Sequence, residues 1–185
     1  MKTVDLSLFD NSWWKPGNKL KLVVWYFINV LFFINPLNPI SGLKVWLLRL
    51  FGAKIGKHVL IKPAVNIKYP WLLEVGDYVW IGDYVWLQNS FKLTIGNNVC
   101  ISQGVMVSCG NHDYRTPGMD LVAGEITIED GVWLGAKSLV SSGLTDIVIQ
   151  SGTVLSAGSV ATKNLDAWTV YVGNPAQAIK TRVIQ

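Results

Sequence analysis

The chain has 185 residues, of which 50% are hydrophobic and 15% charged. That excludes a disordered chain and is enough to bury a substantial core without staples. The net charge of +4 is unevenly spread, with +8 on residues 1–68 and −4 on residues 69–185. A basic front joined to an acidic back predicts two tasks in one chain.

Residues 1–54 read as an apolar, helix-forming front segment. Its most apolar run, Leu22 to Ile34, is 13 residues long, whereas a membrane span needs about 20. Asn29 interrupts it, and Pro36 and Pro39 close it. Acidic residues and tryptophans precede it and no small-residue cleavage site follows, which argues against a secretory signal. Leu43 to Phe51 reads as a short helix ending at Gly52. Two uses of these helices stay open. They pack on the rest of the fold or on a partner subunit, or they lie in a membrane interface, where Trp13, Trp14, Trp25, Trp46 and flanking lysines suit the headgroup boundary. Cys100 and Cys109, the only cysteines, read as small hydrophobes in a reducing compartment, so a cytoplasmic location is expected.

From Ile55 onward the sequence pulses in sixes: IGKHVL, IKPAVN, IKYPWL, then VGDYVW, IGDYVW, LQNSFK, and so on to ATKNLD. Of fifteen lead positions (55, 61, 67, 75, 81, 87, 95, 101, 107, 128, 134, 140, 149, 155 and 161), fourteen are Ile, Leu or Val, and Ala161 is the exception. Three sixes plus two residues make a 20-residue super-period from 55 to 75 to 95, and the next starts are 128 and 149. The 33-residue gap is one turn plus 13 inserted residues, which fall within Ser108–Thr127. Each six reads as a short strand with one aliphatic residue inward and a corner of Gly, Asn or Asp. Three strands close a coil, and stacked coils share a ladder core. The expected fold is mainly β: a parallel β-helix of about five coils over residues 55–185, with short N-terminal helices over 1–54 and one long loop excursion.

A repeat protein shows its site where the repeat breaks. At the start of the insertion stands His112, in Gly110-Asn111-His112-Asp113. The other histidine, His58, occupies an ordinary repeat slot and reads as structural. Two histidines fall short of the three a carbonic-anhydrase-type zinc site needs, so no metal is expected. The basic residues carry no nucleic-acid-binding signature.

In this order, IGNNVCISQG, GNHD at 110–113, IEDGVWLGA at 128–136, SAGSVATK at 156–163 and GNPA at 173–176 resemble the hexapeptide-repeat acyltransferases. The resemblance covers about residues 55–182 and is nearest to the colanic-acid-biosynthesis-type O-acetyltransferases, beside the galactoside and maltose acetyltransferases. It implies a left-handed coil, a homotrimer with sites between subunits, and acetyl-CoA as co-substrate. It also implies transfer of acetyl to a sugar hydroxyl, with His112 as the catalytic general base. An imidazole suits the task, because it accepts a hydroxyl proton near pH 7 as the oxygen attacks the thioester. Asp113 or a backbone carbonyl is expected to orient the ring.

The same resemblance places coenzyme A against Trp133, Ala136 and Ala157, with Thr162, Lys163 and Lys180 near its nucleotide and phosphates and Arg182 as a neighbouring candidate. Phosphates need cations, and these three stand out in an acidic half. Taken alone, each lysine reads as a surface charge. The acceptor end departs from the galactoside and maltose enzymes: Gly82 and Ser90 stand where those have asparagine and aspartate. Asp83, Trp86 and Asn89 are the nearby candidates for binding a saccharide or lipid-linked saccharide. Another small acceptor (serine, an amino sugar, an antibiotic) and a non-catalytic scaffold are the alternatives.

Overall fold

The computed structural model describes residues 3–185. From Lys54 the chain winds as a parallel β-helix with three faces. The first face stacks Lys54–Ile55, Leu73–Val75, Leu93–Ile95, Ile126–Ile128 and Ile147–Ile149. The second stacks Leu60–Ile61, Trp80–Ile81, Cys100–Ile101, Trp133–Leu134, Val154–Leu155 and Thr169–Val172. The third stacks Asn66–Ile67, Trp86–Gln88, Met106–Ser108, Leu139–Ser141 and Val160–Ala161. Five full coils result, and Leu165, Thr169–Val172 and Ala176 open a sixth. Gln177–Thr181 then turns back antiparallel on the second face.

The hexad leads are the ladder. Fourteen of the fifteen are buried; Ile55, in the first coil, is half-buried. Polar side chains tie coil to coil outside that ladder. Asp77 accepts from the Lys57 amide at 2.7 Å, Asn97 from the Asp77 amide at 2.8 Å, and Asp130 from the Asn97 amide at 2.6 Å. The first two corners turn through left-handed backbone in vertical columns, His58-Tyr78-Asn98-Gly131-Gly152 and Ala64-Tyr84-Gly104-Lys137-Gly158. His58 is therefore a corner residue, and its ring stacks on Tyr78 at 4.7 Å. Both cysteines are unpaired, and burial pushes the Cys109 thiol up to about 12.

The glycine that follows many leads is explained by the coil below it. A Cβ on Gly135 would lie 2.5 Å from the Ala157 amide nitrogen. The Gly135→Ala variant is expected to lose about 1–3 kcal/mol through overpacking against backbone that cannot yield. Gly42→Ala, in a helix with nothing within 4 Å of the added carbon, should lose nothing. Paired thermal melts check this contrast.

The front segment closes the open edge of the first coil. Two helices do this: α1 (Lys19–Ile28), continued as one wide turn through Asn29–Ile34, and α2 (Ser41–Leu50). Trp25, Phe33 and Leu48 are buried on the coil and belong to its core. An uncovered β edge would expose a row of backbone donors and acceptors, and side chains of the cap satisfy them. Trp25 donates to the Ile67 carbonyl at 2.9 Å, Lys44 to the Lys62 carbonyl at 2.7 Å, and Arg49 to the Ile55 and Gly56 carbonyls; Ser41 accepts from the Ile61 amide at 2.8 Å. Burial pushes the Lys44 ammonium down, and the charge of Asp83 partly restores it. The second helix ends at Leu50 and the first strand begins at Lys54, and one hydrophobic core spans both segments.

The outward face of α1 and its continuation is apolar: Leu20, Val23, Val24, Phe27, Leu31 and Ile34 are exposed. Among the described residues no helix is long and apolar enough to cross a membrane. The third corner, between the third face and the first, takes the chain's excursions, including residues 109–125. The N-terminal strap runs down this corner. The Asp5 amide donates to Pro117, Trp14 Nε1 to the Ser90 carbonyl, and Trp71 Nε1 to Pro16.

Candidate active site

The third coil ends at Ser108, and the chain leaves it through the buried Cys109 into a hairpin. Gly110–His112 pairs antiparallel with Leu121–Ala123, so that His112 faces Leu121. The turn between them is built by short polar side chains competing for backbone. Asp113 Oδ1 accepts from the Arg115 amide at 3.0 Å, and Thr116 Oγ1 accepts from the Asp120 amide at 3.0 Å.

His112 Nδ1 lies 2.7 Å from the Met119 carbonyl oxygen. A carbonyl only accepts, so Nδ1 carries a proton, and in the uncharged ring the lone pair is on Nε2. That is the tautomer a general base needs. The imidazole is exposed and borders two cavities. One, about 270 Å³, is lined by Asn111, Asp113, Tyr114 and Leu144. The other, about 360 Å³ and mainly apolar, is lined by Leu6, Phe9, Gly118 and Met119. The Phe9 ring is 5.7 Å from the imidazole, so the N-terminal strap forms a wall of the site.

Asp113 pairs with Arg115 and not with the imidazole. Its two oxygens take Arg115 Nε and Nη2 at 2.7 Å each, and Arg115 holds the carboxyl at about 2. A carboxyl lowered in the fold contributes order above its ordinary value of about 3.9 and loses it as pH falls through about 2. Asp113 is therefore charged throughout the neutral range. Asp113→Asn should lower turnover modestly by loosening the loop and leave any neutral-pH limb of the rate profile where it was, which a pH–rate series on both proteins checks.

The residues expected to hold coenzyme A divide over the surface. Trp133 projects from the second face, its Nε1 donating to Ser102 Oγ at 2.9 Å. Ala136 and Ala157 sit at the second corner in successive coils, where the Gly158 amide donates to the Ala136 carbonyl. Thr162 and Lys163 line a hollow with Pro175 and Gln177 just after the last strand of the third face. Lys180 is exposed on the terminal strand opposite Val170. Arg182 stands apart, its Nη1 donating to the Gly131 and Gly152 carbonyls at the first corner.

Of the acceptor candidates, Trp86 is exposed on the third face and lines a cavity there. Asp83 lies at the second corner in a hollow with Lys62 and Trp80, so one chain does not bring it to the His112 loop at the third corner. Asn89 is fully buried, and its amide both donates to and accepts from the Tyr69 backbone. It is a buried corner rung tied to the preceding coil. Sequence reasoning missed Met119, Leu6 and Phe9, which reach the site only through tertiary packing; the one signal was an apolar pair ahead of the first helix.

A stack of hexapeptide coils, broken once to present a tethered histidine, is the plan of an acyl-transferring β-helix. No family model matches the chain. It is 39% identical over 180 residues to the colanic acid biosynthesis acetyltransferase WcaF of Escherichia coli K12, covering 97% of each chain. The galactoside O-acetyltransferase of the same organism is 27% identical over 132 residues, covering 69% of this chain and 63% of that one. A hexapeptide-repeat acetyltransferase of Vibrio cholerae superposes with a TM-score of 0.78 at 22% identity, over 88% of this chain and 91% of that one. A structure of such an enzyme from Vibrio cholerae in complex with acetyl-CoA superposes at 0.70 and 21% identity, over 79% and 80%. The chain belongs to the hexapeptide-repeat acetyltransferases, in the family that includes WcaF.

Proposed function

We propose that the protein transfers acetyl from acetyl-CoA to a hydroxyl of a saccharide destined for surface polysaccharide. The observation that carries this reading is the His112 ring, fixed through Nδ1 on Met119 and bordering both neighbouring cavities. Nε2 takes the acceptor hydroxyl proton as the oxygen attacks the thioester carbonyl. The tetrahedral intermediate collapses to the ester, and the proton passes to the departing thiolate, giving free coenzyme A. The thioester already has a good leaving group, so no enzyme nucleophile is needed.

Within one chain His112 rises from the third corner, whereas Ala136 and Ala157 line the second. A homotrimer with its sites between subunits would bring one subunit's histidine to another's coenzyme. Names of relatives support a saccharide acceptor: WcaF for colanic acid and a galactoside O-acetyltransferase. The apolar outer face of the cap, beside Lys15 and Lys19, supports peripheral contact with the cytoplasmic membrane face, where a lipid-linked acceptor resides. The test is release of coenzyme A thiol from acetyl-CoA over a panel of sugars, lipid-linked sugars, serine and amino sugars. Turnover on saccharide hydroxyls is expected; turnover confined to amines or serine would replace the acceptor, and none at all would favour a scaffold.

A further inference from the structure

A further pocket, mainly apolar but with a few polar groups, lies on the third face, two coils nearer the cap than the start of the His112 hairpin. It is a cavity of about 430 Å³. Asn66 and Lys68 supply its polar groups, Trp86, Tyr69 and Tyr26 its aromatic walls, and Ile34 of the cap an apolar lip. Asn29 donates to Asn66 across it at 2.8 Å.

Lys68 is the unusual member. The residue just after the hexad lead on this face is Gln88, Ser108, Ser141 and Thr162 in the other coils, so Lys68 is the one cation in a neutral column. Its Nζ donates to Ser90 Oγ at 3.2 Å and lies 5.8 Å from the Trp14 ring and 5.5 Å from the Tyr69 ring. Among the described residues it makes no ion pair. Burial pushes its ammonium down with no carboxylate to compensate. A half-buried cation facing a cavity without a counter-ion favours an anionic guest.

The pocket is joined to the catalytic loop. Ser90 Oγ accepts from Gln88 Nε2 at 2.9 Å, Gln88 Oε1 accepts from Ser108 Oγ at 3.1 Å, and Gly110 opens the His112 hairpin two residues later. Stacked strands are about 4.8 Å apart, so two coils separate Lys68 from Ser108 by roughly 10 Å, the span of a short saccharide.

We propose that this pocket binds the phosphate of a phosphorylated saccharide, with Lys68 on the phosphate oxygens and a sugar ring against Trp86. The acceptor then lies along the third corner with its reacting hydroxyl at His112. A compact ammonium is a point-charge phosphate binder, and a flat indole suits a pyranose face. This inference rests on the proposed saccharide acceptor for its orientation, but the binding itself needs no catalysis. Two sources carry the same chemistry, a nucleotide-linked sugar and a lipid-linked one.

The test is tryptophan fluorescence on the full-length protein, titrated with glucose, glucose 1-phosphate, UDP-glucose and a farnesyl-diphosphate-linked glucose. The phosphorylated probes are expected to bind in a salt-sensitive manner and glucose to bind much more weakly. Lys68→Met should weaken the phosphorylated probes by about tenfold or more and leave acetyl-CoA binding unchanged. Lys68→Arg should retain most of the binding, which separates lost charge from a damaged fold. Preference for the UDP or the farnesyl probe identifies the source, and either supports the site. Equal binding of glucose and glucose 1-phosphate, or phosphate binding indifferent to Lys68→Met, overturns it. His112→Ala should bind the probes as wild type does, so a failure of the transfer reaction leaves this result readable on its own.

Discussion

Replacing His112 by alanine is expected to reduce acetyl transfer by about 10²–10⁴-fold, the usual contribution of a positioned general base. The loss should fall on kcat and on kcat/KM alike, because Nε2 acts only as the acceptor proton leaves. Stability should hardly change. The imidazole is exposed, its one hydrogen bond is to the Met119 carbonyl, and the loop keeps its Asp113–Arg115 and Thr116–Asp120 contacts. Affinity for acetyl-CoA should also persist, since none of the residues expected to hold it lines either cavity at His112. Steady-state kinetics, a thermal melt and a coenzyme-binding titration on the same variant separate these effects. A variant that keeps its activity would remove the histidine from the mechanism.

The largest stability loss is expected from the ladder. Leu134 is completely buried between Ile101 of the coil on one side and Leu155 of the coil on the other. Leu134→Ala removes the middle of that stack. Strand geometry holds the coils at their spacing, so the surroundings close in only partly, and the cost should be about 2–5 kcal/mol. In a chain of this length that lowers the melting temperature by roughly 5–15 °C. The effect is local at first, because each coil touches only its neighbours. The coils from Ile126 onward should therefore gain hydrogen exchange before the capped end does. Leu144→Ala, at a residue 61% exposed, is the control and should stay within about 0.5 kcal/mol.

The parts of the molecule written in local repetition were legible in the sequence. Hexad leads such as Ile81, Ile101, Leu134 and Leu155 specify an inward position regardless of what lies elsewhere, so their period gives the coil and its register. The loop carrying His112 was legible as the one long break in that period. What long-range packing decides was not. Nothing adjacent to Phe9 says that it folds back to the His112 ring, more than a hundred residues away in sequence. Asn89 reads as a polar group beside an acceptor, but it is buried and bonds to the Tyr69 backbone of the preceding coil. Asp113 follows His112 directly, yet it pairs with Arg115, because an exposed guanidinium two residues on is a better partner than an already tethered imidazole. Lys68 reads in the sequence as one more charge of the basic front, whereas stacking the coils sets it in a neutral column with Gln88, Ser108, Ser141 and Thr162.

The proposed activity requires that acetyl reach a saccharide oxygen by way of His112. The most direct measurement is mass spectrometry of saccharide and lipid-linked saccharide acceptors after incubation with isotopically labelled acetyl-CoA, comparing wild type with His112→Ala. One labelled acetyl group per acceptor, cleaved by mild alkali as an ester and nearly absent with the variant, is the predicted result. Label carried in an alkali-stable amide, or equal label from both proteins, would contradict it.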